Sequence, residues 1–221
     1  MSIELYSYHR SSAAYRVRIA LNLKQIDYRV VPVHLVKGGG EQLAPAYRKL
    51  HPDGLVPVLI DQTVDGQVVL TQSLSIIEYL EETRPLPALL PKTAAARAYV
   101  RSIALAIACD IHPINNLRVL RYLKRELGVP EAAKDAWYRH WCEQGLAAIE
   151  CGLVGQALSG DFCFGNTPTL ADCALVPQIF NAQRFDCDLS GMPTILRINA
   201  NCLALPAFAR AAPALQPDAE S

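Results

Sequence analysis

Residues 3–33, IELYSYHRSSAAYRVRIALNLKQIDYRVVPV, predict the fold of the N-terminal part of the chain. The two ends of this stretch, 3–8 and 27–33, are rich in β-branched and aromatic residues and are typical of strands. The segment between them, from about 12 to 24, has the apolar spacing of a helix. A strand, a helix and a second strand in this order indicate a βαβ unit, with a strand-to-helix loop where open α/β sheets usually bind ligands.

Two more strand-like runs follow, at 56–60 and 67–72, joined by a loop that contains Asp65-Gly66, a hairpin-turn dipeptide. A second helix is predicted directly after them from apolar residues at helical spacing: Leu74, Ile76, Ile77 and Leu80. This order of elements predicts a thioredoxin-like domain of mixed sheet and helices over residues 1–83.

The character of the sequence changes at RPLPALLP, residues 84–91, whose three prolines predict an extended linker. Beyond it strand signals disappear, and residues 92–221 are predicted to form an all-α domain. Its helices are expected at roughly 94–126, 131–158, 170–185 and 194–203. The last residues, QPDAES, predict a loose tail.

The composition limits the class of ligand. Lys plus Arg equals Asp plus Glu at 21 each, so the chain has no overall basic field that would attract nucleic acid or a membrane surface. An anionic ligand would therefore be held by local arginines. No signal-like segment and no run of 18 apolar residues occurs, which favours a cytoplasmic location.

The chain has seven cysteines, an odd number without a CxxC pair. This usage predicts reduced thiols serving as small core residues in a reducing compartment. The five histidines lack the spacing of metal ligands, so no zinc site is expected.

The adjacent Ser11 and Ser12 have two interpretations. Either serine can cap the helix, and a hydroxyl at a helix N-terminus can also stabilise a bound thiolate. Arg16 and Arg18 point about 200° apart on a helix, which predicts that one of them is solvated. Arg10, on the loop, is free to face a cleft.

Two further dipeptides are ambiguous by themselves. Val56-Pro57 is compatible with a plain strand start, and also with a cis peptide at which the Val56 backbone pairs with a peptide ligand. Gln72-Ser73 lies between a strand and a helix, where Ser73 can cap the helix or the helix N-terminus can receive a carboxylate.

The second domain offers three further features. CDIHPINNLR, residues 109–118, predicts a helix break at Pro113 that either is only a capped kink or builds the wall of a cleft. TLAD, residues 169–172, matches a capping box and predicts a structural role. Arg184 follows near the end of that helix, where an arginine is favourable even without a ligand.

Taken together, these segments resemble the zeta-class glutathione transferases over nearly the whole chain. The motifs that carry the resemblance are RSSAAYRVRIALNLK (10–24), LVPVL (55–59), TQSLSIIEYLEETRP (71–85), ACDIHPINNLRVLRYL (108–123), TPTLADCALVPQIFNAQRF (167–185) and the late QPD. The resemblance implies a homodimer with the glutathione transferase fold, in which glutathione binds to the thioredoxin-like domain. It also implies a contact set for glutathione: Ser11, Ser12, Gln42, Val56, Gln72 and Ser73, with His112, Asn116 and Arg118 from the second domain.

The resemblance further implies a reaction. Glutathione would supply a thiolate, stabilised by Ser11 or Ser12, for the cis–trans isomerisation of maleylacetoacetate, while Arg10 and Arg184 face the carboxylates of this dicarboxylate substrate. Ala13 stands where many members carry cysteine, which tells against chemistry that needs a protein thiol in this loop. Isomerisation of maleylpyruvate, and a non-catalytic binding protein with the same fold, are the alternatives.

Overall fold

A computed structural model describes residues 2–219 of the chain, which form two compact units. The first unit combines the residues up to Leu89 with those from Ala204 onward, and the second contains Leu90–Leu203. The first is a mixed sheet with helices and the second is helical, so the predicted fold class is confirmed.

The first unit is built on a four-stranded sheet in the order β2-β1-β3-β4. β1 and β2 are parallel, whereas β3 is antiparallel to both β1 and β4. Its strands are β1 (Ile3–Ser7), β2 (Tyr28–Pro32), β3 (Val58–Thr63) and β4 (Gly66–Thr71). Its helices are α1 (Ser12–Leu23), α2 (Pro45–Arg48) and α3 (Ser73–Thr83), and two 3₁₀ turns at Lys37–Gly39 and Glu41–Leu43 precede α2.

The strand register brings three connections to one edge of the sheet. Tyr6, near the end of β1, pairs with Val58, and Val58 pairs with Thr71 at the end of β4. The loop after β1, the residues before β3 and the residues after β4 therefore meet at this edge. They carry six residues that the sequence singled out, and only long-range pairing could place them together.

Helix α1 is the central helix of this unit. Ser11 caps it by accepting a hydrogen bond from the N–H of Ala14 (3.2 Å), and the helix packs against α3 on one side and against a C-terminal helix on another. The expectation that one of Arg16 and Arg18 is solvated is wrong, since they are only 2 % and 0 % exposed. The helix is covered on more than one face, and both guanidiniums have buried hydrogen-bond acceptors.

The proline-rich segment after α3 is held by a buried ion pair. Lys24 Nζ donates to Glu81 Oε2 (2.7 Å) and to the carbonyls of Arg84 (2.8 Å) and Pro87 (3.0 Å). Glu81 Oε2 also accepts from the N–H of Leu89 (2.9 Å). The part of the predicted linker up to residue 89 is thus bound to the first unit.

The C-terminal segment differs from its prediction in both location and order. Helix α9 (Pro206–Ala211) packs against α1 of the first unit, although the sequence assigned everything from 92 to 221 to the helical domain. The tail that follows is not loose up to residue 219, because Gln216 is buried and Asp218 bonds to His9. Glu220 and Ser221 lie outside the described residues. Polar contacts with a distant part of the chain, which local patterns cannot show, cause the difference.

The second unit contains the other helices: α4 (Ala94–Leu105), α5 (Leu117–Arg125), α6 (Glu131–Gln156), α7 (Leu170–Arg184) and α8 (Pro193–Leu203). The break predicted at Pro113 consists of a π-helical turn at Ala106–Ile111 and a 3₁₀ turn at Pro113–Asn115. The predicted capping box of α7 is present, with Thr169 and Asp172 bonded to each other's backbone.

Four of the seven cysteines are buried in this unit, as expected of small core residues, but Cys109 and Cys151 are exposed. Within residues 2–219 no helix has the length and apolar character to cross a bilayer. In the same range no three His, Cys, Asp or Glu side chains are grouped as metal ligands.

Candidate active site

The loop after β1 presents the two serines differently. Ser11 is partly exposed, and its hydroxyl oxygen accepts from the N–H of Ala14, which leaves the hydroxyl proton available to a ligand. Ser12 is the first residue of α1 and is only 3 % exposed. Arg10 is exposed, and the first turn of α1 has no acidic side chain. An anion at this helix end would meet a positive partial charge and a hydroxyl donor.

A second helix N-terminus lies beside the first. Ser73 begins α3 and is 5 % exposed, and its hydroxyl accepts a hydrogen bond from Nη1 of the buried Arg16 (3.2 Å). The first turn of α3 also lacks acidic residues. A guanidinium behind a helix N-terminus favours a bound carboxylate.

The residues that flank β3 and β4 have backbones suited to a peptide ligand. The Val56-Pro57 peptide is cis, and Val56 is 8 % exposed. None of the backbone hydrogen bonds outside helices and strands among residues 2–219 involves Val56. Gln72 is exposed and has a φ of 67°, which is uncommon for a residue other than glycine, and strained residues of this kind cluster at functional sites.

Gln42 is closely packed next to this edge of the sheet. Its Nε2 donates to the carbonyl of Leu35 (3.4 Å), whereas its buried Oε1 has no hydrogen-bond partner within residues 2–219. A Cβ at Gly40 would lie 2.6 Å from Nε2, and one at Gly54 would lie 2.8 Å from the Gln42 carbonyl oxygen. Both glycines have positive φ, so their backbone freedom and lack of a side chain allow Gln42 to sit here.

In the second unit, the helix break brings His112 and Asn116 together. Asn116 Nδ2 lies 3.3 Å from His112 Nε2, and Asn116 Oδ1 accepts from the N–H of Arg118 (3.1 Å), which caps α5. Arg118 itself is exposed. The break is therefore a capped kink, and its role as the wall of a cleft stays a prediction.

Arg184 ends α7 beside a stacked aromatic pair. It is exposed, and its guanidinium lies 5.0 Å from the ring centre of Phe185. The ring of Phe185 stacks on Tyr138 at 3.7 Å, and the carbonyl of Tyr138 accepts from Asn115 Nδ2 (3.2 Å). Tyr138 thus links the end of α7 to the helix break.

Sequence reasoning missed two residues that support these positions. Arg16 lies one helical turn after Ser12, and that i, i+4 spacing could have indicated a shared face. Tyr138 lies within a long helix of ordinary composition, so no local signal distinguishes it. Burial raises the pKa of Tyr138, which keeps its hydroxyl protonated.

Comparisons with known proteins identify the family. Residues 5–88 match the family model of the glutathione S-transferase N-terminal domain. A probable maleylacetoacetate isomerase of Vibrio cholerae is 54 % identical over 219 residues, which cover 99 % of both chains. The holo structure of a bacterial maleyl pyruvate isomerase, a glutathione S-transferase of the zeta class, has a TM-score of 0.93 at 48 % identity and covers 98 % of this chain and all of the other. The chain belongs to the zeta class of the glutathione S-transferases.

Another structural neighbour was solved with ligands. It is a maleylacetoacetate isomerase of Methylobacterium extorquens AM1 with bound malonate and glutathione, with a TM-score of 0.93 at 41 % identity, covering 99 % of this chain and all of the neighbour. The first unit described above contains the segment that matches the N-terminal domain of glutathione S-transferases.

Proposed function

We propose that the protein is a glutathione-dependent cis–trans isomerase that converts maleylacetoacetate to fumarylacetoacetate in aromatic amino acid catabolism. The observation that carries the proposal is the sheet edge of the first unit. There the Val56 backbone, which is suited to strand-like pairing, lies between the N-termini of α1 and α3. Each of these helices begins at a serine and has no acidic residue in its first turn. Glutathione offers matching groups: a peptide backbone, a carboxylate and a thiol.

The residues of the first unit fit this cofactor. The Val56 backbone would pair with its peptide, and the N-terminus of α3, with Ser73 and Gln72, would hold a carboxylate. The buried Oε1 of Gln42 would accept from an N–H of the ligand, which would satisfy an atom that otherwise costs free energy. For His112, Asn116 and Arg118 of the second unit, the assignment to glutathione rests on the resemblance to the class.

Glutathione, when bound, supplies the thiolate that adds to the cis double bond and leaves after rotation about the resulting single bond. The task of Ser11 is to donate a hydrogen bond from its hydroxyl to the sulfur while its oxygen caps α1. This donation and the helix N-terminus both favour the anionic sulfur and would lower the thiol pKa. Ser12, more deeply buried, is assigned the supporting role.

Arg10 and Arg184 are the residues proposed to hold the substrate carboxylates. Both are exposed, and a guanidinium is permanently charged and can bind a carboxylate through two parallel hydrogen bonds. The bound malonate of the Methylobacterium neighbour supports a dicarboxylate ligand for this class.

A comparison of kcat/KM for maleylacetoacetate and for maleylpyruvate, each with glutathione, tests the proposal. A higher kcat/KM for maleylacetoacetate is expected. The reverse preference would instead support the maleylpyruvate isomerase alternative, an activity that several relatives carry in their names. Retention on immobilised glutathione without turnover of either substrate would identify a non-catalytic binding protein, and absence of retention would overturn the glutathione site itself.

We also propose a cytoplasmic homodimer, which membership of the class supports. The seven cysteines without any disulfide agree with a reducing compartment. Light scattering during size-exclusion chromatography should give about twice the 24.2 kDa of one chain, and a mass of one chain would contradict the dimer.

A further inference from the structure

The C-terminal segment of the chain folds onto the first unit, far in sequence from the loop that carries Arg10, Ser11 and Ser12. Asn22 of α1 donates from Nδ2 to the carbonyl of Ala207 (2.9 Å) in α9. Gln216, itself buried, donates from Nε2 to the carbonyls of Arg210 (3.0 Å) and Ala212 (2.9 Å) and so closes the turn after α9. The tail that follows is thereby directed back toward the loop.

Arg18 forms hydrogen bonds both to this C-terminal segment and to the loop. Its Nε donates to the carbonyl of Ala211 (3.0 Å), and its Nη2 donates to the carbonyl of His9 (3.0 Å). Its Nη1 donates to Ser7 Oγ (3.0 Å) and to the carbonyl of Tyr8 (3.4 Å). Although burial lowers the pKa of Arg18 to about 10, the guanidinium stays charged at neutral pH.

Asp218 also bonds to this loop. Its Oδ2 accepts from the backbone N–H of His9 (2.8 Å) and lies 3.4 Å from His9 Nδ1, and its side chain is 9 % exposed. The N–H of His9 is thus bound by Asp218, and the carbonyl of His9 is bound by Arg18. The turn then closes through the N–H of Ser11, which donates to the carbonyl of Tyr8 (2.9 Å).

From this geometry we infer that Asp218 is a positioning residue for the isomerisation. It does not contact the ligands, but together with Arg18 it fixes the orientation of the His9 peptide and so aims Arg10 and Ser11 at the sheet edge. The inference rests on the proposed function of these two residues. Displacement of reacting groups by about 1 Å can lower the rate a hundredfold, so a fixed loop has a direct catalytic consequence.

The variants Asp218→Ala, Asp218→Asn and Leu215→Ala test the inference in the full chain. Asparagine keeps an oxygen that can accept from the N–H of His9, whereas alanine does not. Leu215 lies in the same segment and is 67 % exposed, so its replacement is the matched control. Asp218→Ala should lower kcat/KM for isomerisation by about tenfold or more, with Asp218→Asn and Leu215→Ala within about threefold of the unchanged protein.

Two readouts separate positioning from loss of folding. The pKa of glutathione bound to the enzyme, followed by the ultraviolet absorbance of the thiolate against pH, should rise in Asp218→Ala and stay unchanged in Asp218→Asn. Amide hydrogen exchange of residues 8–12, measured without glutathione, should become faster only in Asp218→Ala. An unchanged thiol pKa in Asp218→Ala, or an asparagine variant as impaired as the alanine one, would overturn the inference.

The same experiment distinguishes this inference from the proposed function. If the unchanged protein neither binds glutathione nor isomerises either substrate, the proposed function fails. Hydrogen exchange of the loop would then still show whether Asp218 fixes it, because that measurement needs no ligand. If the protein is active but Asp218→Ala changes neither the amide hydrogen exchange of the loop nor kcat/KM, only the positioning role is wrong.

Discussion

At the scale of the residue, Ser11 combines two roles in one hydroxyl. Its oxygen caps α1, and its proton is proposed to meet the glutathione sulfur. Ser11→Ala is expected to lower kcat/KM at least tenfold, on the order of 1.4 kcal/mol, and Ser12→Ala is expected to lower it less. Steady-state kinetics with glutathione and maleylacetoacetate measure both. If neither variant loses tenfold, the thiolate-stabilising role fails.

The cap requires a control of its own, because Ser11→Ala also removes it. Loss of a serine cap costs about 1 kcal/mol of folding free energy, so urea denaturation of each variant should accompany the kinetics. Ser11→Thr keeps a hydroxyl that can both accept and donate, and it should retain most of the stability. A threonine variant that is stable but as slow as the alanine one would argue against proton donation from this position.

Arg184 is the residue proposed to bind substrate without binding glutathione. Arg184→Ala should raise KM for maleylacetoacetate by about tenfold or more, since a charge-assisted hydrogen bond is worth about 1.5–3 kcal/mol, while the affinity for glutathione stays unchanged. Initial rates at varied substrate and calorimetry with glutathione separate the two quantities. Arg184→Lys keeps the charge, so its KM for maleylacetoacetate should lie between the KM of the unchanged protein and that of Arg184→Ala. Weaker binding of glutathione with unchanged substrate KM would misplace this residue.

At the scale of the element, the predicted cap of α7 also stabilises the loop before the helix. TLAD predicted that Thr169 and Asp172 cap this helix, and they do. The same carboxylate is 0 % exposed and also accepts from the N–H of Cys163 (2.9 Å), so it fixes the loop before the helix. A local pattern could predict the cap, but the bond to Cys163 depends on how that loop folds back.

Asp172→Ala is therefore expected to lower the free energy of unfolding by about 2–4 kcal/mol, because it leaves buried N–H groups of Cys163 and Thr169 without an acceptor. Urea denaturation measures the change. The matched control is Asp188→Ala, which removes an exposed carboxylate that accepts from the N–H of Ser190 (2.9 Å) and should cost less than about 1 kcal/mol. Equal losses in the two variants would contradict the account of Asp172.

At the scale of the whole molecule, the buried ion pair of Lys24 and Glu81 joins α1, α3 and the proline-rich segment of the first unit. Lys24→Met should lower the free energy of unfolding by about 3–5 kcal/mol, because Glu81 would stay buried without its cation. The double variant Lys24→Met/Glu81→Leu should recover a substantial part of this loss.

Thermal or urea unfolding of the single and double variants measures the coupling. The pair Arg29 and Glu4 supplies the control, since the side chain of Arg29 is 66 % exposed and Arg29→Met should cost less than about 1 kcal/mol. A double variant that is less stable than Lys24→Met, or a Lys24→Met variant no less stable than Arg29→Met, would contradict this account.

Most of the elements and the family could be predicted from local features of the amino-acid sequence. The spacing of apolar residues and the cap residues are local properties, so they located the helix after Ser12, the hairpin at Asp65-Gly66, the break at Pro113 and the capping box. The ordered motifs determined the resemblance to zeta-class glutathione transferases, which the comparisons confirmed.

Which distant groups meet could be seen only after the chain is folded. Three features depend on contacts between segments up to 209 positions apart in the chain. They are the burial of both Arg16 and Arg18, the close packing around Gln42 and the hydrogen bond of Asp218 to the loop at His9. Sequence patterns report the periodicity of one segment, whereas these contacts depend on which faces of different segments become neighbours after folding. A buried charge is stable only where such neighbours supply its hydrogen bonds, and for that reason the arginines and the C-terminal tail were the places where local reasoning failed.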